Sequence, residues 1–126
     1  VLSISAAHAQ VGIGTTTPRA SLEVNGYTKL GADAPAIKVK KLTATTPNAQ
    51  GQVTAVAHGL NLAKIISITG LVETPFASWV TLNFTTQSGF QVGVYADATN
   101  VNINTAPSNS SSVLNRPVRL LITYEE

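Results

Sequence analysis

The chain has 126 residues, 44% of them apolar and 11% charged, with a formal net charge of +2. That length fits one domain with a short arm, and the apolar fraction excludes a disordered chain. There is no cysteine, which excludes disulfides, thiolate metal sites and cysteine nucleophiles. Lys38, Lys40 and Lys41 form the only basic cluster, and no basic stripe with interleaved aromatics follows, so nucleic acid is not an expected partner.

Residues 1–10 read "VLSISAAHAQ". Ala7-His8-Ala9 before Gln10 fits the small-x-small pattern ahead of a secretory cleavage site. Leu2 and Ile4 also alternate with Ser3 and Ser5, as in a strand. The segment is therefore either a signal-peptide remnant or an N-terminal assembly strand. The first reading places the protein outside the cell or on its surface. No run approaches the roughly 20 apolar residues of a membrane helix, so the chain is not expected to span a membrane.

Residues 11–35 form a Gly- and Thr-rich arm, closed by the joint "GADAPA" from Gly31 to Ala36. "GIGTTTP" is not a phosphate loop, because Gly12 and Gly14 stand too close, no Lys follows, and Pro18 opposes a helix. An arm of this size cannot bury Val11, Ile13, Leu22 and Val24 by itself. Copies wound together would bury them, and Gly12 and Gly14 would let backbones approach near an axis. "VNGY" predicts a hairpin at Asn25-Gly26.

Residues 36–126 alternate with a period of two. "GLNLAKII" (59–66) has helical spacing but runs into "KIISITGLV", which predicts a turn feeding a strand. Strands are then predicted over 80–86, 90–96, 100–104 and 118–124, with apolar residues on one face of each. "TPNAQGQ", "TQSGF", "YADATN" and "APSNSSS" supply the turns. The fold class expected is all-β: an antiparallel β-sandwich, jelly-roll-like, preceded by an extended β arm.

Chemistry is sparse along this pattern. A metal needs several ligands, so His58 could serve only as three copies around a three-fold axis. His58, Asp97 and a serine could compose a triad, but no serine lies in a nucleophile-elbow pattern. No two carboxylates are spaced for glycoside hydrolysis. No enzyme activity and no cofactor are expected. Phe76, Trp79 and Tyr95 are candidate sugar-stacking aromatics, against a packing role for Trp79. Asn83-Phe84-Thr85 and Asn109-Ser110-Ser111 match glycosylation sequons.

"VGIGTTTPRASLEVNG" (Val11 to Gly26) resembles the VGIGT-T-P-x-x-x-L-x-V-x-G motif of secreted fibre and tail-fibre-like proteins of Bacteroidetes-type bacteria and their phages. Glu23 stands where that motif often has Asp. "HGL", "KIISITGLV" and "RPVRLLITYEE" are similar, more loosely, to segments of C-terminal tail-fibre sandwich domains. The resemblance implies a trimeric, non-enzymatic fibre or adhesin with a tip that binds carbohydrate. The expected function is an extracellular structural or adhesive subunit that forms a homotrimer through its arm. The alternatives are a filament subunit polymerising by strand addition and a lectin-like module binding a cell-surface glycan.

Overall fold

The computed structural model describes residues 10–126. The leader or assembly-strand reading of residues 1–10 thus falls, except for Gln10, outside the described residues. Among the described residues ten strands run in chain order: β1 Val11–Ile13, β2 Leu22–Val24, β3 Thr28–Lys29, β4 Ala36–Thr45, β5 Val53–Ala57, β6 Ile65–Glu73, β7 Trp79–Thr81, β8 Val92–Ala96, β9 Asn100–Thr105 and β10 Pro117–Glu125. The chain divides into two compact units, one ending at Lys38 and including Glu126, the other spanning Val39–Glu125. The division falls inside β4, a little beyond the expected joint.

In the N-terminal unit β1 and β2 pair in parallel, with Val11 opposite Leu22 and Ile13 opposite Val24. Parallel strands ordinarily need a crossover of about a dozen residues or more. Here residues 14–21 make the return, and side-chain bonds hold it. Glu23 accepts hydrogen bonds from the Arg19 backbone N–H at 2.6 Å and from the Arg19 guanidinium at 2.6 Å. The Arg19 guanidinium in turn holds the Glu23 carboxyl below the usual range. The Asn25 N–H closes the pair onto the Ile13 carbonyl at 2.8 Å. A Cβ on Gly12 would run into the Thr15 carbonyl, and one on Gly14 would stand 2.9 Å from the Asn25 carbonyl. Both glycines therefore have a role within one chain, apart from any axis.

The hairpin predicted at Asn25-Gly26 does not form. Neither residue has a positive φ, and β2 is already paired with β1. The reversal comes later, where β3 pairs antiparallel with β4, Thr28 opposite Ile37 and Lys29 opposite Ala36. Gly31, at φ 108°, supplies the left-handed residue of that turn.

The second unit contains one sheet ordered β4-β10-β6-β7 and another ordered β5-β9-β8. The pairs β10–β6, β6–β7, β5–β9 and β8–β9 are all antiparallel. Alternation decides what each sheet buries. Val118, Leu120 and Ile122 on β10 and Val72 on β6 face inward from the first sheet. Val92, Val101 and Ile103 face them from the second, and Phe90 and Val113 close the same cluster from loops. One core shared by two antiparallel sheets makes this unit sandwich-like and the protein all-β.

The strand predicted over 80–86 stops at Thr81. The Leu82 N–H bonds to the Gly70 carbonyl on β6 at 3.2 Å, whereas the Asn83 N–H bonds to the Val92 carbonyl on β8 at 2.6 Å. Consecutive amides thus serve different sheets, and Asn83 takes a left-handed φ of 64° to make the crossing. Leu82 and Phe84 still pack on the core, which is why their alternation mimics a strand. Phe84 meets Phe90 edge-on at 6.3 Å. "GLNLAKII" is a turn feeding a strand: a single 3-10 turn over Leu62–Lys64, capped by the Asn61 side chain, leads into β6.

Candidate functional site

His58 directly follows β5 and is fully buried. Its Nδ1 accepts the Leu60 N–H at 2.9 Å, which places the ring proton on Nε2, and Nε2–H donates to the Asp97 carbonyl at 3.0 Å. Gly59, at φ 63°, bends the chain so that Leu60 reaches back to the ring. Lys40 donates through Nζ to the His58 carbonyl at 2.6 Å. Both ring nitrogens are engaged inside one chain, so His58 has no lone pair to offer a metal on a three-fold axis. It is a structural histidine, and among the described residues no group of three His, Asp or Glu could hold a metal ion.

Asp97 opens the turn between β8 and β9. One carboxylate oxygen accepts the Thr99 and Asn100 N–H groups at 2.9 and 2.8 Å, and the other accepts the Asn102 amide at 2.7 Å. The Thr99 N–H, the Asn102 amide and the Asn100 N–H favour the charged form and pull the carboxyl down to about 2. Its bonds point to its own turn and to β9, and it meets His58 only through its backbone carbonyl. Because the folded value lies below the unfolded one of about 3.9, the ionised carboxylate stabilises the fold above that value. This contribution disappears as pH falls from about 4 to about 2. The expected result is that acid weakens the wild type through this window, while Asp97→Asn melts lower at neutral pH and shows a flatter profile there. Thermal melts between pH 2 and 7 provide the check.

The three candidate aromatics do not converge. Phe76 is 76% exposed at the tip of the β6–β7 turn. That turn is fixed by the Thr74 N–H on the Ser78 carbonyl at 2.8 Å and by their paired hydroxyls at 2.7 Å. Trp79 is half-buried, with the Arg119 guanidinium 3.9 Å from its ring centroid, so a cation already covers one face. Tyr95 is 51% exposed on the outer face of the other sheet.

Two shallow hollows mark the outer faces of the sandwich-like unit. The first, of about 370 Å³, lies on the larger sheet beside Leu71, Leu121, Thr69 and Arg119. The second, of about 260 Å³, lies where the Asn83 crossing meets β8 and β9, and is lined by Asn83, Gln91, Gly93, Asn104, Ala106 and Pro107. Sequence reading does not single out Gln91 or Asn104, and it treats Asn83 only as a sequon and strand residue.

The lysine cluster disperses. Lys40 reaches His58, Lys38 lies 4.7 Å from the Tyr27 ring centroid, and Lys41 is exposed beside the first hollow. Alternation along β4 turns Lys41 to the face opposite Lys38 and Lys40. In the N-terminal unit Val11, Ile13 and Leu22 remain 53%, 56% and 59% exposed. No protein family, curated protein or solved structure matches this chain.

Proposed function

We propose that the protein is a non-enzymatic, extracellular structural and adhesive subunit that associates with copies of itself through its N-terminal unit. The observation that carries this reading is the exposure of Val11, Ile13 and Leu22 on a two-stranded pair. Such a pair has no core of its own to bury them, and their removal from water on association would be favourable. The resemblance of Val11 to Gly26 to intertwined trimeric elements supports three copies. His58 and Asp97, the pair on which a catalytic triad would draw, support a structural role instead, because each is tied into local backbone.

Light scattering on the full chain tests the assembly. The expected mass is that of a closed trimer, and Val11→Asp with Ile13→Asp should reduce it to about one third, the monomer value. A native chain that stays monomeric at micromolar concentration sinks the proposal. Growth into polymers of no fixed mass would instead support a filament built by strand addition.

A further inference from the structure

We infer that the groove between the Asn83 crossing and the outer face of β8 and β9 binds a neutral saccharide, with Asn83, Gln91 and Asn104 as its hydrogen-bonding groups and Tyr95 as its stacking ring. This deepens the adhesive half of the proposed function and rests on it, not on the assembly half.

Three other asparagine amides are already engaged. Asn102 donates to Asp97, Asn100 donates to Thr99, and Asn109 accepts from Ser88 and Gly89. Those amides hold turns in place. The side chains of Asn83, Gln91 and Asn104 make no hydrogen bond to any described residue, yet all three line one groove. Each offers two N–H donors and a carbonyl acceptor to solvent. Their backbones are fixed: Asn83 N–H bonds to the Val92 carbonyl at 2.6 Å, Gln91 N–H to the Asn109 carbonyl at 2.7 Å, and Asn104 lies in the central strand of its sheet. The backbone anchors are thus set in place, while the side-chain torsions remain to be ordered on a ligand, at a cost in affinity.

Register sets the rest of the surface. Gly93 lies opposite Asn104, and Tyr95 opposite Asn102, so Tyr95 is the next outward residue along β8. Gly93 lets the Asn83 side chain lie close over β8; a Cβ there would come within 3.1 Å of Asn83 Oδ1. The result is a polar trough of three amides with an exposed aromatic ring alongside.

Ligand class follows from the chemistry. No charged side chain lines the groove, so a phosphate, a carboxylate or a cation would find no counter-charge. Its apolar lining is limited to Ala106 and Pro107, which gives no deep pocket for a peptide side chain to anchor in. A primary amide, with donor and acceptor side by side, matches two adjacent hydroxyls, each of which both donates and accepts. A sugar ring also carries an apolar C–H face that fits an aromatic ring. Neutral saccharide satisfies both requirements.

The test uses the isotopically labelled full chain and follows its side-chain amide resonances by NMR. The probes are lactose, maltotriose, mannotriose and chitotriose, with inorganic phosphate and a Gly-Ser peptide as controls. At least one saccharide should shift the Asn83, Gln91 and Asn104 amides. Asn104→Ala, Gln91→Ala and Tyr95→Ala should each weaken that binding by about tenfold without lowering the melting temperature. The inference is overturned if no saccharide moves these amides, if a control moves them instead, or if binding is unchanged in all three variants. Sedimentation of the same samples separates the two readings. An oligomer without amide shifts overturns the site alone, whereas a monomer with shifts supports the site and overturns the assembly.

Discussion

His58→Ala should destabilise the second unit by about 3–5 kcal/mol, as read from urea unfolding followed by the fluorescence of Trp79. Two effects add. The buried ring leaves a cavity. The Leu60 N–H and the Asp97 carbonyl also lose their partners, at about 1–3 kcal/mol for each polar group left unsatisfied. His58→Phe separates the two, because it refills the volume but offers neither an acceptor at Nδ1 nor a donor at Nε2. We expect Phe to recover only the cavity part. A His58→Phe protein as stable as wild type would show that the ring is merely filling space, and the account of His58 as a polar tie between the end of β5 and the β8–β9 turn would fall.

The same residue shows what a linear reading can reach. "AVAHGL" marks His58 as unusual, but the sequence does not say that Asp97, far along the chain, turns its carbonyl to the ring. Alternation is reliable where a strand is paired on both sides: β9, between β5 and β8, extends the predicted 100–104 by one residue. It fails over 80–86, because Leu82 and Phe84 face the core while the consecutive amides of Leu82 and Asn83 bond to two different sheets. It also fails at Asn25-Gly26, where a strong local turn signal loses to the parallel pairing of β1 with β2.

The groove was hidden for a related reason. Asn100, Asn102 and Asn104 share one outward face by alternation, and nothing in the sequence distinguishes them. Thr99 and Asp97 claim the first two, leaving Asn104 without a side-chain partner among the described residues. Asn83 reaches the groove only because its left-handed φ ends β7 and carries the chain across to β8. The departure from regular alternation at Asn83 is thus what creates the candidate ligand surface. The arm presents the converse case. The exposure of Val11, Ile13 and Leu22 follows the expectation from the arm's size, whereas Val24 is half-buried, and the Arg19–Glu23 clasp that shapes the return required the fold.

Gly70 and Leu120 should show strong coupling in a double-mutant cycle. They lie directly opposite each other on β6 and β10, and the Leu120 side chain occupies the space that a Gly70 side chain would need: a Cβ there would stand 2.7 Å from Leu120 Cδ2. Leu120→Ala alone should cost about 2–5 kcal/mol, since it opens a hole at the centre of the core shared by both sheets. Gly70→Ala alone should cost about 1–3 kcal/mol through overpacking, because the new methyl also meets Leu82 Cδ1 at 2.9 Å and the Arg119 carbonyl at 2.7 Å. With Leu120 shortened, the methyl at position 70 enters part of the vacated volume, and Leu82 can shift with it. The Arg119 carbonyl belongs to the β10 backbone and cannot yield as easily, so relief is partial. The double variant should therefore be more stable than the sum of the singles by about 1 kcal/mol or more. Urea midpoints for the four proteins measure this directly, and simple additivity would mean that the two positions do not share the space the structure assigns them.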